Sequence, residues 1–146
     1  MECNNFMKIK IKKLKENAKL PSYAHPGDVG MDLYSMETVT IEPMGHYRFY
    51  HGFAMEFPIG YAAIIKDKSS ISKAKLTQMG GVFDAGYRGE YNTHLVNLGD
   101  EPYTVEEGDK VSQIVMVPVS IAELEEVDVL SFSSRGEGAF GSTGKK

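Results

Sequence analysis

Asp84 sits in the run Gly80-Gly81-Val82-Phe83-Asp84-Ala85-Gly86-Tyr87-Arg88-Gly89-Glu90, where a carboxylate is followed three residues later by an aromatic ring. A carboxylate at the mouth of a turn can orient a water molecule and accept its proton. A ring beside it can stack on, or pack edge-on against, the ring of a ligand. Asp is also a common turn former with no chemistry attached, and this run alone leaves both readings open. A second set of chemical groups lies in Arg135-Gly136-Glu137-Gly138-Ala139-Phe140-Gly141-Ser142-Thr143-Gly144. Arg135 offers a planar fork for phosphate. Phe140 offers a face for stacking on a base. The backbone amides of Gly141, Ser142 and Thr143 can wrap an anion. Rich in glycine and hydroxyl residues, this stretch cannot build a core and reads as a tail that orders on a phosphorylated ligand.

Other chemistries fail on spacing. Gly136, Gly138 and Gly141 match a dinucleotide-binding fingerprint in letters, but no helix can follow in the few residues left. A phosphate-binding lysine loop fails too, because Ala139 stands where it needs glycine and a lysine follows Gly144-Lys145. His25, His46, His51 and His94 lack metal-ligand spacing, and the lone Cys3 adds nothing to them. There is no Gly-x-Ser-x-Gly elbow for a serine triad. Glu106-Glu107 and Glu123, Glu125 and Glu126 read as solvated acidic surface.

The elements that must hold these groups read as strands. Residues 8–12 (Lys-Ile-Lys-Ile-Lys) alternate with a period of two, as a half-buried strand does, and residues 38–41 do the same before Pro43. Further β-rich runs lie at 61–65, 93–96, 111–117 and 127–130, separated by Gly- and Pro-rich turn signals. Short strands at this spacing predict an all-β barrel, sandwich or jelly roll. A helix is predicted over 70–76 with Ser69 or Ser70 as its cap, and a second near 121–126. The run around Asp84 reads as a hairpin whose tight turn, Asp84-Ala85-Gly86, joins two strands.

Composition sets the frame. At 146 residues, 42% hydrophobic and 25% charged, the chain has the make-up of one ordinary globular domain. No apolar run approaches the ~18 residues of a membrane span. One cysteine excludes a disulfide scaffold. The polar, then lysine-rich start is unlike a secretory leader, so a cytoplasmic setting is expected. A net charge of −4 argues against a grip on nucleic-acid backbone, and neither nucleic acid nor membrane is expected as a partner. Lys8, Lys10, Lys12, Lys13, Lys15 and Lys19 are a local exception. They read as a strand edge guarded by lysine, with a patch that gathers polyanionic substrate as the alternative.

Five blocks, in order, resemble the trimeric deoxyuridine triphosphate nucleotidohydrolases (dUTPases). They are Val29-Gly30-Met31-Asp32-Leu33-Tyr34-Ser35, Lys68-Ser69-Ser70-Ile71-Ser72, the run from Gly81 to Glu90, Gly108-Asp109-Lys110-Val111-Ser112-Gln113-Ile114-Val115, and the run from Arg135 to Gly144. The resemblance implies a jelly-roll domain over residues 1–134 with one short helix, and a flexible arm over 135–146 that closes on the active site. It implies a homotrimer whose active sites are each shared among three chains. It implies hydrolysis of dUTP to dUMP and pyrophosphate with Mg²⁺, which limits uracil entry into DNA and supplies dUMP for dTMP synthesis.

By the same resemblance, Asp84 matches the aspartate that activates the attacking water. Tyr87 matches the aromatic that packs on the deoxyribose and excludes a 2′-hydroxyl. Val82, Phe83 and Asn92 would read the uracil edge through the backbone, and Gln78 falls where some members contact uracil. Lys68, Ser69, Ser70 and Gln113 match phosphate-side residues. Arg135, Phe140, Gly141, Ser142 and Thr143 match the arm that covers the γ-phosphate and base. Asp32 matches a carboxylate that reaches Mg²⁺ through water. The chain departs from the pattern at Lys68, usually arginine, at Ser70 and Ala139, usually glycine, and in the polar run Tyr91-Asn92-Thr93-His94. Lysine keeps the charge of the second block but loses the planar fork. Two alternatives share the scaffold. A dCTP deaminase would need a glutamate where His94 stands, and a non-catalytic nucleotide sensor would not need Asp84.

Overall fold

A computed structural model describes residues 6–139 and 143–144 of the chain. Its longest strand, β11 (Lys110–Pro118), carries one of the apolar runs read from the sequence and buries Val111 and Ile114 completely. It lies antiparallel between β2 (Gly30–Tyr34) and β6 (Tyr61–Lys66), and β8 (Val82–Phe83) pairs with the far edge of β6. A second sheet orders β4 (His46–Tyr50), β9 (Asn92–Asn97) and β7 (Leu76–Met79). Two further antiparallel pairs join β1 (Lys10–Lys13) to β5 (Phe53–Glu56) and β3 (Val39–Ile41) to β10 (Tyr103–Val105). Among the described residues there is one helix, α1 (Ser69–Lys73).

Side-chain alternation decides what each strand offers. Along β9, Thr93, Leu95 and Asn97 are buried while Asn92, His94 and Val96 turn to the outer face. One core cluster gathers Leu33, Phe53, Ile65, Phe83, Tyr91 and Ile114, and another gathers Ile41, Phe49, Ile71, Leu76, Leu95 and Val105. Most polar side chains inside are bonded, as burial requires, and the Tyr91 hydroxyl is an exception. Asn97 Nδ2 donates to Ile41 O (2.9 Å) and Glu101 O (2.8 Å), and its Oδ1 accepts from Gly99 N (2.8 Å). The buried His51 bridges Tyr34 O and Thr93 Oγ1, both at 2.8 Å, and Thr93 in turn meets Ser112 Oγ at 2.6 Å. Burial pushes the His51 pKa down to about 4, so the ring is neutral and needs one donor and one acceptor partner.

Several sequence expectations are corrected. Residues 127–130 form no strand and 121–126 no helix, and among the described residues their apolar side chains stay exposed, with no burial to hold either element. The helix stops at Lys73 because Leu76 is drawn into the second core and pairs with Asn97, with Lys75 left-handed (φ 62°) at the break. Its N-cap is Lys68 and has no side-chain cap bond, so neither Ser69 nor Ser70 plays that part. β1 is exposed along its whole length rather than half buried, with β5 as its one partner strand. The arms flanking the Asp84 turn do not pair with each other. β8 belongs to the β11 sheet and β9 to the other.

Candidate active site

The Asp84 turn is formed, and side chains close it where no strand ladder does. Tyr87 N donates to Asp84 O at 3.0 Å. Arg88 Nη1 donates back to Ala85 O (2.7 Å) and Tyr87 O (3.2 Å). Beneath the turn the ring of Phe83, in β8, stacks on that of Tyr91, one residue before β9, with centroids 4.4 Å apart. Tyr87 Oη donates to Glu90 O at 3.1 Å, which fixes its ring, and a Cβ on Gly89 would run into that ring. Burial, and then the neighbouring Tyr87, push the Tyr91 hydroxyl pKa up to about 12.

The turn forms one wall of a cavity of about 380 Å³. Val82, Phe83, Asp84, Tyr87 and Asn92 all line it, which brings together five residues singled out from the sequence. Asp84 is exposed at this wall. Two further lining residues, Arg48 and His94, were missed as site residues. Their signal was the outward alternation of polar residues on β4 and β9, legible only once the pairing of Arg48 with His94 is known. Gln78 does not line the cavity. Its Nε2 donates to Ile65 O (2.9 Å) and Gly80 O (3.1 Å), so it braces the loop in which Gly80 and Gly81 take left-handed φ of 73° and 91°.

The phosphate-side residues form a separate group, and none of Lys68, Ser69, Ser70 or Gln113 lines the Asp84 cavity. Gln113, on β11 opposite Asp32 and Lys66, donates from Nε2 to Asp67 O at 2.9 Å. Ser69 and Ser70 are exposed at the start of α1. Asp32 is only 2% exposed and lies between two ammonium groups. Lys68 Nζ donates to Oδ1, and Lys110 Nζ stands 2.7 Å from Oδ2. That second contact lacks the alignment of a well-formed hydrogen bond, and we count it as an ion pair. Burial alone would raise the Asp32 pKa, but Lys110 and Lys68 more than reverse this and hold it below the usual carboxylate value.

Arg135 is exposed, with Nε donating to Gly138 O at 3.0 Å. Thr143 is exposed, and Phe140, Gly141 and Ser142 lie outside the described residues.

A family model described as dUTPase matches residues 16–144. The chain belongs to the dUTPase family. The deoxyuridine 5′-triphosphate nucleotidohydrolase of Clostridium tetani is 46% identical over 140 residues, covering 94% of this chain and 97% of that one. That of Alkaliphilus metalliredigens is 45% identical over 141 residues, covering 94% and 98%. A Staphylococcus bacteriophage 80alpha dUTPase solved with dUPNHPP superposes with a TM-score of 0.87 at 30% identity, over 94% of this chain and 98% of that one. A mutant dUTPase from phage phi11 of S. aureus, described with a structural Mg(II) ion, gives a TM-score of 0.79 at 27% identity, over 86% and 99%. The architecture is therefore the family's jelly roll, the fold expected from the sequence.

The described residues of one chain do not by themselves build a cage for a resident metal. Among the described residues no group of three or more His, Cys, Asp or Glu side chains could hold an ion. Asp32, the carboxylate matched to a water-mediated Mg²⁺ contact, has both oxygens turned to lysines.

Proposed function

We propose that this chain hydrolyses dUTP to dUMP and pyrophosphate, with Asp84 as the general base. The observation that carries the reading is the cavity in which an exposed carboxylate, a fixed tyrosine ring and the Val82–Phe83 backbone converge beside Asn92. Asp84 accepts one proton from a water held at the turn. The water oxygen bonds to the α-phosphorus, the bond to the bridging oxygen breaks, and pyrophosphate leaves with that electron pair. The Tyr87 ring, pinned to Glu90 O, packs against the deoxyribose and leaves no room for a 2′-hydroxyl. Val82, Phe83 and Asn92 face the base.

Lys68, Ser69, Ser70 and Gln113 bind the phosphates. Because they stand apart from the Asp84 cavity within one chain, the complete site is assembled from more than one copy, in a homotrimer. The arm from residue 135, with Arg135, Phe140, Gly141, Ser142 and Thr143, covers the bound nucleotide. Magnesium is part of the substrate, carried on the triphosphate oxygens, and no step is assigned to it. Protein preloaded with Mg²⁺ and then desalted is accordingly inactive until Mg²⁺ is added with dUTP. The product is dUMP for dTMP synthesis, and the loss of dUTP limits uracil in DNA, in a cytoplasmic setting.

The test is a product analysis of dUTP, dCTP, dTTP and UTP, each incubated with purified protein and Mg²⁺. dUMP and pyrophosphate from dUTP alone support the reading. A deaminated product from dCTP, or binding of dUTP without turnover, overturns it.

A further inference from the structure

Tyr91 is fully buried beneath the Asp84 turn, and two rings stack on its own. Phe53 lies with its centroid 5.5 Å away and Phe83 with its centroid 4.4 Å away, at interplanar angles of 18° and 19°. Two backbone bonds fasten the residue to the chain around β5: Tyr91 N donates to Phe53 O, and Tyr91 O accepts from His51 N, both at 3.0 Å. Packed and bonded in this way, the ring has little room to shift. Its hydroxyl has no hydrogen-bond partner, so the ring is the part of this side chain that its neighbours use.

Tyr87 rests against that stack. Its ring meets Tyr91 edge-on (5.8 Å, 62°) and Phe83 at a tilt (5.5 Å, 53°), while its hydroxyl donates to Glu90 O at 3.1 Å. Aromatic contacts of this kind have preferred distances and angles, so they orient a ring as well as cover it. Glu90 is itself held, because its Oε1 accepts from Gly52 N at 2.8 Å. Tyr87 lines the Asp84 cavity with 38% of its surface exposed, whereas Tyr91 lies behind it and does not reach the cavity. The cavity meets one tyrosine, and that tyrosine is seated on the other.

We propose that Tyr91 is a positioning residue that sets the height of the Tyr87 ring in the cavity, and thereby the preference for a 2′-deoxy sugar over a ribose. The proposal rests on the dUTP reading above, in which Tyr87 packs against the sugar. A ribose differs there by a single oxygen atom, so its exclusion depends on a wall held to a fraction of that atom's width. An aliphatic side chain at position 91 removes the edge contact and leaves space under Tyr87 that the core closes only in part. The Val82–Phe83 backbone is held separately, by its pairing with β6, so base selectivity does not follow the ring.

The experiment compares wild-type protein with Tyr91→Leu and Tyr91→Phe. It measures KM and kcat for dUTP, the inhibition constants of UTP and dCTP against dUTP, and the melting temperature, which reports the cost to the core separately. Tyr91→Leu is expected to narrow the gap between UTP and dUTP about tenfold, with the dUTP kcat within about threefold and the dCTP gap unchanged. Tyr91→Phe keeps the ring and leaves both gaps at the wild-type level. Made in a Tyr87→Leu background, Tyr91→Leu has no further effect on the UTP gap. Tyr91→Met stands in should the leucine variant fail to fold. An unchanged UTP gap in Tyr91→Leu overturns the proposal. So does an equal loss of UTP and dCTP discrimination, because a loosened core affects both alike. A narrowed gap in Tyr91→Phe also overturns it, since the hydroxyl then carries the effect. These outcomes leave the dUTP reading standing as long as the wild-type protein hydrolyses dUTP, and a wild-type protein that does not hydrolyse it overturns both.

Discussion

Asp84 stands exposed at the tip of a turn, whereas Asp32 lies in strand β2 with 2% of its surface exposed and an ammonium group against each oxygen. Both carboxylates sit in family-matched blocks, and by residue type alone either could serve as a base. Their surroundings separate them. The two lysines stabilise the charge on Asp32 and lower its pKa, which makes it a poor proton acceptor. Asp84 has an open cavity before it and backbone beneath it. The Asp84 turn is held by bonds to main chain, from Tyr87 and Arg88, so its side chain remains available to substrate. The Asp32 group is held by contacts between side chains, which join β2 to the start of α1 and to β11.

This contrast can be broken at several points. Removing residues 135–146 tests whether the open side of the molecule depends on a cover. Hydrolysis is expected to fall to background while the melting temperature and the oligomeric state hold, and an active truncated protein rules out the arm. Asp84→Asn keeps size and polarity and removes the base. Turnover should drop by at least ~100-fold, equivalent to about 2.7 kcal/mol, with dUTP affinity and melting temperature little changed. Near-normal turnover would place the base elsewhere.

The buried side of the comparison responds to acid. His51 is held neutral by burial, with a pKa of about 4 against 6.5 when exposed. Between those values the unfolded chain binds more protons than the folded one, so stability rises with pH across the window. The contribution of this group is complete above pH 6.5 and falls by about 2 kcal/mol by pH 5. Urea midpoints at the two pH values, beside those of His51→Asn, measure it, and parallel slopes in the two proteins refute it. Asp32→Asn is the smallest expected effect. It leaves Lys68 and Lys110 facing an amide, and because both lysines are partly exposed the loss is about 1 kcal/mol. A fall in melting temperature with kcat kept within a few-fold supports Asp32 as a structural ion-pair centre. A collapse in kcat without loss of stability would return it to the chemistry.

What the sequence determined by itself was the all-β class and the dUTPase family, together with the Asp84–Tyr87 turn. Period-two alternation in residues 38–41 and the β-rich runs at 61–65, 93–96 and 111–117 identify strands because burial of one or both faces is a local, repeating requirement. The five blocks identify the family because their residue types and order are written in the chain. The tertiary structure alone decided the rest. Residues 127–130 have strand composition but no partner strand among the described residues, and a ladder needs two members. The expected hairpin opened because β8 pairs with β6 in one sheet and β9 with β4 and β7 in another. Gln78 turned to brace a loop, Asp32 was enclosed by lysines 36 and 78 residues away, and Arg48 met Asn92 and His94 over 44 and 46 residues. Each of these depends on strand pairing over long separations, which sets distance and direction between groups that no local pattern relates.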